Sequence, residues 1–391
     1  MRRISVDERR ARLGVRHHLA TEAKADTVEA AAGRMVGLHA SDPSSVYLAA
    51  RARVKGVTVD LIERALYEER SMLRILGMRR TMFAAPIELA RLIQAGAATR
   101  LIAGERKRMA KLLAEGGVTD EPVTWLKEVE EATFDALVSN GSAFAQELTK
   151  TVPELSQQIT FGEGTKWAGS MGVSTRVLFL LALDGRIVRG RPRGKWTSSQ
   201  HRWAPTEDWI PGGLGGVDPA AARREIIRRW LFAFGPGSMD DIRWWTGWTV
   251  AEIRNALAGL EVTEVDVEGR SGLLLTDDLE PVSAPGSWVA LLPGLDPTPM
   301  GWKEREWYLG SHKADLFDTS GNVGPSIWHD GRIIGAWGQD QDRRVKYRVL
   351  EPVNKKVTRA IDQEVAAIEE WVGNVKVTPR FRTPLEAELA R

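Results

Sequence analysis

The apolar positions of the first 86 residues follow helical spacing and then alternate. Residues 27–40 (TVEAAAGRMVGLHA) predict an Ala-rich helix that runs up to His39. A second helix is predicted to begin after Asp42, which suits the N-cap position and precedes a proline at the first helical position. A Thr-capped helix over 58–71 and a strand pair over 72–86 follow. Three helices and a β-hairpin are the order of a winged helix.

The same order of patterns returns twice along the chain. Residues 87–139 are predicted to be mostly helical, and after the segments 142–155 and 169–185 a hairpin is predicted over 186–205. Helices from 218 precede a hairpin over 261–276. From about residue 284, short strands with Gly/Asp turns predict a small β-barrel or sheet, with a closing C-terminal helix packed on it. We therefore predict an α+β protein with three tandem winged-helix modules and a barrel, with these boundaries: 1–86, 87–215 (including a helical connector), 216–283 and 284–391.

Composition and charge narrow the class of protein without naming a ligand. Of 391 residues, 54 are Lys or Arg and 52 are Asp or Glu, so the net charge is only +2 and local clustering has to carry any nucleic-acid argument. The absence of cysteine excludes disulfides and cysteine-ligated zinc. The N-terminus lacks the apolar core of a signal peptide, and no run reaches membrane-spanning length. We expect a cytoplasmic, nucleoid-associated monomer with no membrane contact.

The most basic compact segment is the second predicted hairpin. Cations on both of its strands suit contacts to the phosphates of double-stranded DNA, although a solvated wing is the alternative. The candidates there are Arg189, Arg191, Arg193 and Lys195. On the first predicted wing, Arg79 and Arg80 are further DNA-binding candidates that would lie near His39, and one of them could instead pair with an acid in the helix before the wing.

Five segments resemble the winged-helix superfamily that contains the AlkZ-like bacterial DNA glycosylases. They are GLHASDPSSVYLAARARV, MRRTMFAAP, DGRIVRGRPRGKW, FGPGSMDDIRWWTGWT and LLPGLDPTPMGWKERE. The resemblance implies three winged helices and a barrel in a C shape around a basic cleft. It also implies excision of alkylated purines from damaged DNA or unhooking of interstrand crosslinks. A non-catalytic DNA-binding protein, serving regulation or lesion recognition, is the alternative.

The sequence departs from this family where the family's catalytic motif lies. Relatives carry Gln-x-Gln or Gln-x-Asp in place of His39-Ala40-Ser41, while Asp42-Pro43 agrees with them. His39 could replace the first glutamine as the water-orienting group and be a better base, because a histidine pKa lies near neutrality; a structural hydrogen bond at the end of a helix is the alternative. Ser41 could assist by hydrogen bonding, or simply help to cap the helix that follows. Asp42 could stabilise an oxocarbenium-like sugar, or serve only as the N-cap.

A polar loop after residue 295 supplies the remaining candidates. Asp296, Lys303 and Arg305 are possible cleft residues, since relatives have a similar Asp-bearing loop facing the cleft. In WW at 244–245, one tryptophan is expected to pack between modules. The six histidines show no metal-ligand spacing, and no P-loop or nucleophile elbow is present. We therefore expect neither a metal nor a cofactor.

Overall fold

The computed structural model describes residues 1–162, 164 and 168–391 of a mixed α+β chain. In the first part, the helices are α1 (Val6–Arg16), α2 (Val28–Arg34), α3 (Pro43–Arg51) and α4 (Val59–Glu63). The strands there are β1 (Arg3–Ile4), β2 (Leu38–His39), β3 (Met72–Leu76) and β4 (Met82–Pro86). A π-helical turn, Arg64–Glu68, extends α4, and a 3-10 turn, Met78–Arg80, joins β3 to β4.

The middle of the chain alternates long helices with hairpins. Its helices are α5 (Ile87–Ile93), α6 (Ile102–Glu115), α7 (Pro122–Asn140), α8 (Ala145–Thr151), α9 (Val173–Leu183) and α10 (Thr206–Trp209). Its strands are β5 (Gln158–Phe161), β6 (Gly169–Gly172), β7 (Ile187–Pro192) and β8 (His201–Pro205). Next come α11 (Pro219–Phe234), α12 (Met239–Thr246), α13 (Val250–Leu257), β9 (Val262–Val267) and β10 (Arg270–Leu275).

The C-terminal part is built on one sheet flanked by helices. Its strands are β11 (Val289–Leu292), β12 (Ser326–His329), β13 (Arg332–Gln339) and β14 (Val345–Val349). Its helices are α14 (Glu306–Leu309), α15 (Lys313–Leu316), α16 (Lys355–Val372) and α17 (Pro384–Leu389). The strands pair antiparallel in chain order, and within the described residues β11 does not pair with β14. The predicted closed barrel is therefore wrong: this part is an open four-stranded sheet, with α16 packed on β11.

One connectivity occurs three times among the described residues. A helix leads to a short extended segment, two helices follow, and a hairpin ends the unit; the second unit also has the hairpin β5–β6 between its two helices. In each unit the short segment pairs with the second hairpin strand: β2 with β4, Ala143 with Trp203 on β8, and Gly237 with Leu273 on β10. The first and third units share a large core with the C-terminal part, whereas the second packs mainly around a core of its own.

The predicted helix over 27–40 ends earlier than its apolar pattern indicates. The N–H groups of Val36 and Gly37 donate to the carbonyls of Gly33 and Ala32, which closes the C-terminus of α2. Both residues have positive φ angles, 55° and 98°, and a Cβ on Gly37 would lie 3.1 Å from Phe83 Cβ. The chain therefore enters β2, and His39 lies on a strand rather than at a helix end. The predicted start of α3 is confirmed, with Asp42 as N-cap and Pro43 following.

Candidate active site

His39 is held inside the sheet of the first unit. On β2 it lies opposite Phe83 of β4, and the two rings are 5.6 Å apart. The residue exposes only 4% of its surface. Ser41 N donates a long hydrogen bond of 3.5 Å to His39 Nδ1, which favours the tautomer with its proton on Nε2. Nε2 has no hydrogen-bond partner among the residues that the structure describes.

Burial changes the chemistry expected of this histidine. Desolvation, assisted by the positive charge of Arg79, lowers the pKa of His39 to about 3. The ring is therefore neutral near pH 7, and it accepts a proton far less readily than a solvent-exposed histidine. The expectation of a base with a near-neutral pKa is corrected accordingly. What the geometry leaves is a neutral group that can orient a water molecule or a substrate atom by hydrogen bonding.

Ser41 and Asp42 are tied into the local backbone. Ser41 Oγ accepts from Met82 N at 3.2 Å, which continues the pairing of β2 with β4. Asp42 Oδ1 accepts from Ser44 N at 2.9 Å and from Ser44 Oγ at 2.7 Å. Asp42 Oδ2 accepts from Arg380 N at 2.9 Å. Both carboxylate oxygens of Asp42 thus accept hydrogen bonds, so its role as the N-cap of α3 is enough to explain its position.

The turn between β3 and β4 presents two arginines with different surroundings. The Arg79 guanidinium carbon lies 4.0 Å from the centroid of the Trp244 ring, and burial lowers the pKa of Arg79 to about 10. Arg80 instead forms an ion pair with Glu105 at 2.7 Å. Arg305 approaches the same Trp244 ring at 4.6 Å, so two guanidinium groups share one indole. The predicted residues Arg79 and Arg305 therefore meet at Trp244, and the charge of Arg79 reaches His39.

The remaining residues of the polar loop lie elsewhere. Asp296 has no exposed surface, and its oxygens accept from Arg53 Nη1 and Nη2 at 2.8 and 2.6 Å. The expectation that Asp296 faces a cleft is thus corrected: the carboxylate neutralises a buried arginine after α3. Lys303 Nζ pairs with Asp240 at the surface, at 2.7 Å.

The basic hairpin β7–β8 divides its cations between two environments. Arg191 pairs with Glu63 and with Glu68, so its charge is compensated. Arg193 lies over the ring of Phe144 at 4.3 Å, and Lys195 is exposed in the connecting turn. Arg189 lies over Trp203 at 5.1 Å, and burial lowers its pKa to about 10. Arg189 and Arg193 line a cavity of about 340 Å³ between the hairpin, α8 and α9.

Two contacts near the site were not expected from the sequence: those of Arg380 with Asp42 and Ser41, and those of Trp244 with the two arginines. Arg380, far along the chain, donates to Asp42 through its backbone N–H and to the Ser41 carbonyl through Nη1 at 3.3 Å. No pattern of neighbouring residues in the sequence predicts this contact. Trp244 had a detectable signal, because adjacent tryptophans on one helix point to different sides. Trp245 is the buried one, 6.4 Å from Phe83, which leaves Trp244 for the arginines.

In the described part of the chain, no cluster of three or more His, Asp or Glu side chains is arranged to hold a metal ion. No described helix is long and apolar enough to cross a membrane.

The fold agrees with that of a class of proteins identified by comparison. The family model described as "DNA glycosylase AlkZ-like" matches residues 32–371. The chain therefore belongs to the AlkZ-like DNA glycosylase family, and this membership favours a glycosylase over a non-catalytic DNA-binding protein.

Two particular proteins illustrate the relationship. The chain is 25% identical, over 277 residues, to a Streptomyces sahachiroi protein named "Interstrand DNA cross-link repair glycosylase", covering 68% of this chain and 70% of that protein. The solved structure of Streptomyces sahachiroi DNA glycosylase AlkZ superposes with a TM-score of 0.73 at 21% identity, covering 97% of this chain and all of the other. The second comparison supports the shared fold.

Proposed function

We propose that this DNA glycosylase hydrolyses the N-glycosidic bond of N3- or N7-alkylated purines, and that it also unhooks crosslinks joined through such purines. The observation that carries the proposal is His39, a neutral imidazole whose Nε2 has no described partner, next to the unpaired cation Arg79. Family membership supports the glycosylase reaction, and the Streptomyces relative, an interstrand DNA cross-link repair glycosylase, supports crosslinks as one substrate.

The reaction needs little acid assistance. An N3- or N7-alkylated purine is cationic, so the C1′–N9 bond breaks with its electron pair returning to the purine, which leaves neutral. The sugar becomes oxocarbenium-like, the oxygen of a water molecule bonds to C1′, and one proton of that water passes to solvent. Because this sugar cation is a strong electrophile, the enzyme needs to position the water molecule more than it needs to deprotonate it. A neutral His39 with a pKa of about 3 suits that task.

The motif His39-Ala40-Ser41 is proposed to mark a divergent branch of the family. An imidazole N–H and a glutamine amide N–H are both neutral donors, so either side chain can orient water or a sugar oxygen. Ser41 assists by fixing the strand end through Met82 N, and Asp42 by beginning α3. We therefore assign the direct role to His39 and positioning roles to Ser41 and Asp42.

We propose that the three repeated units are winged helices, that the C-terminal sheet completes a C-shaped molecule, and that duplex DNA lies in its basic cleft. The predicted boundaries 1–86, 87–215, 216–283 and 284–391 are kept for these parts. Arg189, Arg193 and Lys195 would contact phosphates, while Arg80 and Arg191 would first have to exchange a carboxylate partner for a phosphate. We propose that the protein is a monomer, which light scattering with and without DNA would test. We also propose that it acts at the nucleoid in the cytoplasm.

The decisive experiment is a single-turnover incubation with duplex oligonucleotides. Each duplex carries one N7-alkylguanine, one N3-alkyladenine or one N7-linked crosslink, and alkaline cleavage at the abasic site is the readout. We expect release by the wild type, a loss of about 100-fold in rate for His39→Ala, and substantial retention by His39→Gln. Arg228→Gln, which alters a surface ion pair with Glu225, is the control.

Three results would count against this assignment. Release that persists in His39→Ala would keep the glycosylase but move the reacting group away from His39. Loss of release in both His39 variants, with their folding intact, would mean that a neutral amide cannot replace the imidazole. No release from any duplex, together with salt-sensitive binding, would make a lesion-recognition protein the better description.

A further inference from the structure

Two arginines on the ring of Trp244 carry charge that no described carboxylate neutralises at close range. We propose that Arg79 and Arg305, together with the indole of Trp244, bind a single phosphate of the DNA backbone next to the nucleotide being processed. This inference rests on the proposed glycosylase function, and it adds a phosphate site to that function.

The geometry gathers both guanidinium groups at one aromatic ring. Their Cζ atoms lie 4.0 Å (Arg79) and 4.6 Å (Arg305) from the centroid of Trp244, and Arg305 also lies 4.8 Å from the ring of Phe317. Stacking on aromatic faces fixes the plane of a guanidinium while its N–H edge remains available. A phosphate is an anion that such edges bind, often through paired hydrogen bonds.

Neighbouring cations form ion pairs with carboxylates, whereas Arg79 and Arg305 form none with the described residues. Arg80, on the same turn as Arg79, pairs with Glu105, and Lys303, on the same loop as Arg305, pairs with Asp240. In the described chain, Arg79 makes no side-chain hydrogen bond or ion pair, and its Nε is buried without a partner. The positive charge of the pair is therefore open to an external anion.

The contacts of Arg305 leave its charge similarly open. Its Nε donates to the Trp302 carbonyl at 3.0 Å, and Nη2 lies 4.0 Å from Met300 Sδ. Asp241 and Glu306 are its acidic neighbours, but Asp241 accepts from Ser238 and from the backbone N–H groups of Lys303 and Glu304. Neither acid forms an ion pair with Arg305.

The free protein holds this arrangement at an energetic cost. Burial and the proximity of Arg305 lower the pKa of Arg79, which means that the surroundings disfavour its charged form. Arg79 also occupies the left-handed backbone region, with φ of 52°. Gly247, which ends α12 with φ of 69°, lets that helix approach: a Cβ there would lie 3.3 Å from Arg79 Cγ. A bound phosphate would compensate both cations and use a prearranged site.

The position of the pair relates it to the reaction. The turn that carries Arg79 leads into β4, whose Phe83 lies opposite His39 and also contacts Trp245 of α12. Arg79 is close enough for its charge to lower the pKa of His39. A phosphate held here would place the adjoining sugar near the histidine, so Arg79 and Arg305 are positioning residues.

The test measures binding without catalysis. The probe is a duplex with one tetrahydrofuran abasic analogue, in which each phosphate near the analogue is replaced in turn by a neutral methylphosphonate. Affinity is measured by fluorescence anisotropy at several salt concentrations for the wild type, Arg79→Gln, Arg305→Gln and the control Arg228→Gln. Arg305→Lys, which keeps the charge but not the planar fork, is included because Arg305 is buried and its Gln variant has a greater risk of misfolding.

We expect one methylphosphonate position to weaken wild-type binding by about tenfold, and Arg79→Gln to weaken binding of the unmodified duplex by a similar factor. That position should then have a smaller effect on Arg79→Gln than on the wild type, because only Arg305 remains to contact that phosphate. The salt slope should fall by about one unit. Equal sensitivity of Arg79→Gln and the wild type at every position would overturn the proposal. Base release is not involved, so a failed glycosylase assay leaves this result standing.

Discussion

His39 and Asp42 lie on the same short connection, yet their surroundings give them different chemistry. His39 keeps an unpartnered Nε2 within the described structure, and desolvation keeps its ring neutral. Asp42 has the charge that could stabilise a cationic sugar, but backbone donors from α3 and from the C-terminal segment occupy both of its oxygens. At this scale, hydrogen-bond partners separate a reacting group from a structural one.

The first residue-scale prediction concerns the pH dependence of excision. Because the pKa of His39 is about 3, its ring stays neutral from about pH 5.5 to 8.5. The cationic charge of the alkylated purine does not titrate in that range either. We expect the single-turnover rate to be flat across it. An inflection near pH 6.5 that disappears in His39→Gln would contradict the prediction, since it would require an ordinary histidine pKa.

The second residue-scale prediction separates capping from catalysis at Asp42. Asp42→Asn keeps an acceptor for Ser44 N but turns an amide donor or a weaker acceptor toward Arg380 N. We expect a loss of about 1–2 kcal/mol in the free energy of unfolding, and an excision rate within about threefold of the wild type. Urea unfolding and single-turnover kinetics measure the two quantities. A drop of about 100-fold in rate with unchanged stability would restore Asp42 as the group that stabilises the sugar cation.

At the scale of elements, one buried ion pair joins the first unit to the C-terminal part. Arg53 follows α3, while Asp296 lies in the loop after β11, and neither has exposed surface. Thr298 strengthens the junction, because its hydroxyl accepts from Arg53 Nη2 at 2.8 Å and its N–H donates to Asp296. The pair thus fixes the helix that begins at Asp42 against the sheet.

The element-scale prediction follows from the cost of an uncompensated buried charge. We expect Asp296→Asn to lower the free energy of unfolding by about 3–5 kcal/mol, because Arg53 would remain buried without its counter-ion. Denaturant unfolding monitored by tryptophan fluorescence measures this loss. Asp240→Asn removes an exposed partner of Lys303 and should have a much smaller effect. Equal losses in both variants would mean that the buried pair does not hold the junction.

At the scale of the whole molecule, burial keeps several histidines in their neutral form. Desolvation lowers the pKa values of His39 and His201 to about 3, and that of the fully buried His17 well below its usual value. His17 also bonds Thr298 Oγ1 and the carbonyl of Ala233. His17 follows α1, His39 lies on β2 and His201 lies on β8, so their titration is a property of the complete fold.

The prediction at this scale is a loss of stability in mild acid. The unfolded chain protonates these histidines as the pH falls through about 6.5, while the folded chain does not, so the unfolded state binds more protons. Stability is therefore fully present above the unfolded pKa and decreases below it, by on the order of 1 kcal/mol per pH unit for each histidine. Unfolding at pH 7.5 and 5.5 tests this, and His201→Gln should reduce the difference. An unchanged pH dependence in that variant would show that His201 is not kept neutral.

Short-range patterns determined the elements of this protein. The cap at Asp42, the helix that begins after Thr58 and the basic hairpin β7–β8 all follow from neighbouring residues, because caps, turns and alternation act over a few positions. The apolar run through residue 39 was ambiguous for the same reason. Its interpretation as a helix failed where Val36 and Gly37 reverse the backbone.

Only the tertiary structure decided which polar residues are free. Sequence proposed Arg79 and Arg80 alike, and distant Glu105 distinguishes them. The sequence predicted that Asp296 faces the cleft, but its carboxylate is buried in an ion pair with Arg53. It expected a histidine with a near-neutral pKa, and burial against the sheet lowers that pKa. Charge pairing and desolvation depend on residues that are far apart in the chain, so they are established only when the chain folds.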